Sequence, residues 1–334
     1  MPGTVRSATL RHFDTVCHAV GLAPETLLAE VELTPIVLSD PDVRIPGRKV
    51  SELIRIAATR SGAMDFGLRM GNLRGVEDWG LLGLAARDQP TLRGYLETLI
   101  ARGRYQNENS SAQLTRHGDQ VATILDFQDP DANRSAQAIE MTIAFHLRCI
   151  HELVAYPILP TYISFRHAQI SDLSVYRKIL GVEPLFGAER LAIAFPASAM
   201  ALPIVGAQPQ FAATVDRILE SQNTGGLTRY TDVVANNLRA LIGTIDFSIE
   251  RMAKLLDMTP RTLQRKLRDE GASYSQIVDD VRMAMAKDHI ECSDRPLAQV
   301  SDILGFKSQS ALAHWYRQKH GVSALERRRR ARVG

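Results

Sequence analysis

One pattern occurs twice in the last hundred residues, and that repeat limits what the chain can fold into more than any other feature. The first copy is "SIERMAKLLDMTPRTLQRKLRDEG", residues 248–271. Ser248 can cap a helix that turns Ile249, Met252, Ala253 and Leu256 inward and Arg251 and Lys254 outward. "DMT" supplies a turn, and Pro260 suits the first position of a second helix. That helix carries Leu263 and Leu267 four residues apart. Arg261, Gln264, Arg265 and Arg268 fall together on its other face, with Thr262 beside them. The second copy is "RPLAQVSDILGFKSQSALAHWYRQKHG", residues 295–321. Its first helix runs from Pro296 to Leu304, and Gly305 makes the turn. In its second helix Leu312, Trp315 and Tyr316 anchor, while Gln309, Ser310, His314 and Arg317 face outward. "ASYSQIVDDVRMAMAKDHIEC", residues 272–292, joins the copies as one amphipathic helix with Ile277, Val281, Ala284 and Met285 inward. A further helix, residues 228–242, precedes them. Residues 228–334 therefore read as an all-α domain with two helix-turn-helix units.

In such a unit the second helix enters the DNA major groove. Arg can bind guanine with two hydrogen bonds, and Gln can do the same for adenine. The charge distribution agrees. Residues 228–334 hold 19 Lys and Arg against 13 Asp and Glu, whereas residues 1–227 hold 21 against 24. The basic end suits an anionic partner.

"ERMAKLLDMTPRTLQRKLRDEGASYSQIVDDVRMAMA" and "RPLAQVSDILGFKSQSALAHWYRQKHGVS" resemble the DNA-binding domain of the AraC/XylS family of bacterial transcription regulators. The resemblance covers roughly residues 228–330. The chain departs from it at Leu312, where members often have Phe, at His314 (Arg), at Ala324 (Pro) and near Arg327 (Tyr or Phe). The first unit keeps the pattern better, so base reading is expected there. The second unit, with the basic end "ERRRRARVG", is expected to grip phosphates, which set register without reading sequence. The resemblance implies double-stranded promoter DNA as partner, and RNA polymerase beside it.

Residues 1–220 read as an α+β domain made of a helical subdomain and a mixed part. Leu10, Phe13, Val16 and Val20 recur at helical spacing up to Gly21. Pro24 opens another helix. Val50, Leu53, Ile54 and Ala57 stripe a third, which closes at Gly62. "TLRGYLETLIARGRYQ" and "SAQAIEMTIAFHLRCIHELV" are helical. "SAQLTRHGDQVATILDF" reads as a hairpin turning at Gly118-Asp119. "PTYISFRHAQ" and "RLAIAFPAS" read as strands. "ESQNTGG", residues 220–226, is punctuated like a linker, and the linker between the domains is placed at residues 221–227.

"GLAPETLLAEVELTPIVLSDPDVRIPGRKV", "GLLGLAARDQPTLRGYLETLIARGRYQ" and "ERLAIAFPASAMALPI" resemble the amino-terminal domain of an AraC branch that includes ornithine-pathway and mycobacterial virulence regulators. That resemblance implies a small-molecule effector and a homodimer. Concave apolar sites form between a sheet and its helices, which makes Trp79, Tyr105, Phe145 and His146 the candidate ligand contacts.

The competing readings are an effector-independent repressor or architectural DNA-binding protein and, behind it, an enzyme fused to a DNA-binding tail. No Gly-rich phosphate loop, serine elbow or His-Glu-x-x-His helix occurs, so no catalytic residue, cofactor or metal site is assigned. His146 and His151 flank Cys149 on one helix, and a Cys-His pair can activate a thiol only if the two meet. Cys17, Cys149 and Cys292 lie far apart and suit a reducing compartment. With no apolar run of membrane-spanning length and no leader pattern, a cytoplasmic protein is expected, without a membrane partner.

Overall fold

The computed structural model describes residues 3–108, 110–127, 135–212, 215, 229–243, 247–291, 293 and 295–331. The expected linker at 221–227 and Cys292 lie outside them. The chain divides into two compact units: residues 1–41 with 45–227, and residues 42–44 with 228–334.

Unit 1 opens with helices α1 (Phe13–Ala19), α2 (Pro24–Glu30), α3 (Ile36–Ser39), α4 (Gly47–Ser61) and α5 (Phe66–Leu73). Pro24 starts α2 as expected. The α4 stripe Val50, Leu53, Ile54 and Ala57 is buried. Two strands join these helices, β1 (Thr4–Arg6) and β2 (Arg44–Pro46), paired as a small sheet. At three residues each they are too short for a two-residue alternation to show in sequence.

Next come α6 (Leu81–Arg87) and α7 (Leu92–Arg102), then strands β3 (Ser110–His117) and β4 (Gln120–Phe127). β3 and β4 form the expected antiparallel hairpin, in register from Ser110 opposite Phe127 to His117 opposite Gln120. Its two-residue turn places Gly118 at φ +60°, which a β-carbon would strain. α8 (Ala136–Leu153), β5 (Tyr162–Ser164), α9 (Leu173–Leu180) and β6 (Leu191–Pro196) complete the unit. The sheet order is β3-β4-β6-β5, and every pairing is antiparallel. β5 ends at Ser164, so the "FRHAQ" part of the expected strand is not strand. Ser164 bridges instead to Leu185, and Phe165 stacks on His167 and Phe186.

α5 and α8 lie backbone to backbone. A β-carbon on Gly67 would run into the Gln137 carbonyl, and one on Gly71 into the Met141 carbonyl and the Phe145 amide. Two glycines four apart on one helix face thus set how closely the helices approach. This contact carries Arg74, just past α5, onto Phe145 of α8. The core between sheet and helices includes Leu96, Leu99, Val121, Ile139, Ile143 and Phe195.

Unit 2 is all-helical: α10 (Tyr230–Leu241), α11 (Ile249–Leu255), α12 (Pro260–Asp269), α13 (Tyr274–Glu291), α14 (Leu297–Ile303), α15 (Gln309–His320) and α16 (Ala324–Ala331). The repeat read in sequence recurs in backbone detail. Met258 N–H donates to Ala253 C=O at 2.9 Å, and Phe306 N–H to Ser301 C=O at 2.9 Å, so α11 and α14 end in the same hydrogen-bonded turn. Asp257 and Gly305 take the left-handed position there, at φ 58° and 66°. Asp tolerates that conformation better than most residues because its short side chain bonds locally.

α13 serves two cores from different faces. Ile277, Val278 and Val281 are buried among the first helices, and Ala286 and Ile290 belong to the second cluster. Ala284, expected inward, is exposed. A single inward stripe cannot hold over a helix that changes partners midway.

Candidate nucleic-acid interface and effector site

α12 is built to present one face. Thr259 caps it by accepting from Thr262 N–H at 3.2 Å, and Pro260 holds the first position. Leu263 and Leu267 are fully buried. Arg261, Gln264, Arg265 and Arg268 are exposed. Among the described residues no hydrogen bond or ion pair engages these four side chains. Thr262 is partly buried and its hydroxyl lies 2.9 Å from that of Thr259, so it serves the cap. The far end of α12 is fixed by Glu270, which accepts from Tyr230 and Thr231 N–H at 2.8 and 2.9 Å. A carboxylate there also complements the positive end of α10. Lys266, flanked by the polar face, stands 4.2 Å over the Tyr230 ring.

α15 has the same plan. Ser308 caps it, Leu312 and Tyr316 are buried, and Trp315 packs against them. Gln309, Ser310, His314 and Arg317 are exposed. Ala324, one of the family departures, is buried in this core. The basic end is partly committed elsewhere. Arg328 donates to the carbonyls of Ile290, Arg295 and His289, and Arg327 pairs with Glu291 at 2.8 Å. These two arginines tie α16 to the end of α13, and Arg329 beside them is exposed. A sequence run "RRRR" gives no sign of that division.

Unit 1 gathers three of the four candidate ligand contacts. The Trp79 ring stacks on Phe145 at 4.9 Å and meets His146 edge-on at 5.2 Å. Tyr105 stands apart, under the Arg6 guanidinium at 5.7 Å. The sequence gives no pointer to Arg74, whose buried guanidinium lies 3.7 Å over Phe145. Arg74 Nε is 3.8 Å from Asp78, whose carboxylate already receives Arg11 Nε at 2.9 Å and Gly75 N–H at 3.2 Å. Burial pulls the Arg74 pKa down to about 10, with Asp78 opposing. Burial and the Arg74 charge pull His146 down to about 4, although part of that residue reaches solvent. Burial pushes the Cys149 thiol up to about 12. A neutral histidine beside a raised thiol is the reverse of an activated pair. His151 is engaged separately, with Nε2 2.8 Å from the Ile158 carbonyl.

The Nε and Nη2 atoms of Arg74, the Trp79 Nε1 and the Tyr95 hydroxyl are buried with no hydrogen-bond partner in the protein. A small open cleft of about 50 Å³ lies elsewhere, among Val5, Gly47, Ser51, Asn107, Phe127 and Met141. No charged side chain lines that cleft, so it has little with which to orient a polar ligand.

A second buried polar cluster has a pH consequence. Glu140 is fully buried, and its Oε1 accepts from the Tyr176 hydroxyl at 2.5 Å and lies 3.8 Å from His167 Nε2. Burial pushes its carboxyl up to about 8, Tyr176 opposes, and Asp65 adds to the rise. The raised pKa stabilises the fold fully below the ordinary carboxyl range, and that contribution is lost as pH rises to about 8. His146 acts oppositely, because its depressed pKa costs stability as pH falls below about 6.5. His167, also pulled down by burial, stays neutral above that range. Among the described groups with a shifted pKa, Glu140 is the one that titrates between pH 6.5 and 8. Unit 1 should lose about 2 kcal/mol over that interval, one proton at 1.36 kcal/mol per unit. Thermal unfolding at both pH values checks this. Glu140→Gln should flatten the dependence, and an unchanged slope in that variant would remove Glu140 as its source.

The family comparisons agree with both units. The model described as the arabinose-binding domain of AraC transcription regulators, amino-terminal, matches residues 21–204. A helix-turn-helix domain model matches residues 252–330. The chain is 27% identical over 329 residues to the HTH-type transcriptional regulator VirS of Mycobacterium tuberculosis, covering 97% of this chain and 96% of that one. It is 24% identical over 310 residues to the ornithine utilization regulator of Pseudomonas aeruginosa, covering 90% and 89%. The transcriptional regulator CdpR from Pseudomonas aeruginosa, a solved structure, aligns with a TM-score of 0.44 at 20% identity, over 92% and 96% of the two chains. The chain belongs to the AraC family of DNA-binding transcription regulators, in the branch that carries an arabinose-binding type of amino-terminal domain.

Proposed function

We propose that unit 1 binds a small-molecule effector and that this binding alters how unit 2 engages promoter DNA. Arg261, Gln264, Arg265 and Arg268 read base edges, with Thr262 holding the cap beneath them. Gln309, Ser310, His314 and Arg317 of α15 set register mainly through phosphates. One observation carries the reading: α12 is pinned by two fully buried leucines while four exposed polar side chains on its other face have no partner within the described residues. An effector acts here only by favouring one arrangement of the protein over another. The protein works in the cytoplasm as a homodimer beside RNA polymerase and has no catalytic role. In support, none of the helices searched among the described residues is long and apolar enough to cross a membrane.

Selection of bound duplexes from a random-sequence library tests the assignment. The wild type should yield a motif. Arg265→Ala should weaken that motif by about 1–3 kcal/mol and relax one position of it. Equal binding of motif and random DNA by both proteins would defeat the assignment.

A further inference from the structure

We propose that the effector of unit 1 carries a carboxylate or a similar oxyanion, held by Arg74, with a flat apolar body lying along Trp79 and Phe145. This rests on the reading of unit 1 as an effector domain and names the class of molecule it takes.

Among the described residues, donors outnumber free acceptors around Arg74. Arg74 Nε and Nη2, Trp79 Nε1 and the Tyr95 hydroxyl are all buried without a partner in the protein. All four can donate, and three can do nothing else. The carboxylates close to them are already in use, and the Cys149 thiol beside Trp79 and Tyr95 is only a weak acceptor. Asp78 receives Arg11 and Gly75, and Glu152, exposed at the edge, receives Val76 N–H at 3.4 Å. Charge is unbalanced in the same direction. Arg6 and Arg11 act on Arg74 with the same sign, and Asp78 is the carboxylate that acts against them. A buried guanidinium with unmatched N–H groups is costly unless an anion completes it. A planar oxyanion is the acceptor that a guanidinium fork fits best.

The surroundings specify the rest of the ligand. Trp79 and Phe145 stack, and His146 stands edge-on to Trp79. The His146 imidazole, held neutral, adds no competing positive charge. These residues come from the end of α5 at Arg74, from α7, α8 and the turn Val76–Trp79, so a ligand here would bear on the close α5–α8 contact.

The test is thermal unfolding of the full chain with sodium benzoate, benzamide or sodium chloride at matched ionic strength, in wild type and in Arg74→Met. Benzoate should raise the unit 1 transition by about 2 °C or more, benzamide should not, and the rise should vanish in Arg74→Met. Without ligand, Arg74→Met should unfold no lower than wild type, because it exchanges a guanidinium whose Nε and Nη2 lack hydrogen bonds for an apolar chain of similar length, while Asp78 keeps Arg11 and Gly75. A lower transition in the ligand-free variant would make Arg74 a structural residue and overturn the proposal. So would a benzoate shift that survives in Arg74→Met, or no benzoate shift in the wild type. A panel of neutral sugars and amines, run alongside, separates the two levels of failure. A neutral compound that stabilises both proteins equally would keep unit 1 as an effector domain and remove the anion. No shift with any compound would count against the effector reading itself.

Discussion

Arg282→Ala should destabilise unit 2 by about 3–5 kcal/mol, although Arg282 belongs to neither recognition helix. From α13, its Nε donates to the Leu304 carbonyl at 3.0 Å and its Nη2 to the Gly305 carbonyl at 3.1 Å. The guanidinium lies between Phe306, at 4.3 Å, and Phe247, at 5.0 Å. One side chain thus binds the turn of the second unit and the segment that leads into the first. Each hydrogen bond from a charged donor is worth roughly 1.5–3 kcal/mol, and Ala leaves both carbonyls unpaired between two aromatic rings. Arg282→Lys should recover only part of the loss, since an ammonium cannot span both carbonyls as a planar fork does. Urea unfolding, read together with amide exchange in residues 297–320, measures it. A change under about 1 kcal/mol would mean the two units are held together some other way.

The second large effect lies in unit 1. Gly71→Ala should cost about 3 kcal/mol, against the helix preference for Ala of roughly 1 kcal/mol. The added carbon meets the Met141 carbonyl and the Phe145 amide, which are backbone atoms of α8 and cannot rotate away. The helices must part, and Arg74 should leave Phe145 with them. Gly103→Ala is the control, because nothing lies within 4 Å of a β-carbon there. Thermal unfolding of the two variants should separate them by several degrees. If Gly71→Ala were as stable as wild type, the close α5–α8 contact would not be what positions Arg74.

These two residues mark the limit of what the sequence made legible. The helix-turn-helix units, the cap at Ser248, the hairpin turn at Gly118 and the anchors Leu263, Leu267, Leu312 and Tyr316 follow from periodicity and local chemistry. Each depends on residues a few positions apart. Arg74, Arg282 and Arg328 do not: each acts on partners brought close only by the tertiary fold. Arg282 stood within a helix read as amphipathic, and Arg328 within a run read as phosphate-binding. Trp79, Phe145 and His146 were found as aromatic candidates, but the charge they surround was not. A guanidinium buried over a ring looks in sequence like any surface arginine. Ala284 shows the complementary limit, since periodicity finds one inward face and α13 uses two.

The central claim is that α12 reads sequence. Its most direct test is genome-wide capture of DNA fragments by the purified full-length protein at one fixed salt concentration, repeated with Arg265→Ala. Salt must be held constant because phosphate contacts alone give strongly salt-dependent binding. The account predicts a shared motif upstream of a few genes with the wild type and its loss in the variant. Uniform capture without a motif, the same for both proteins, would contradict it.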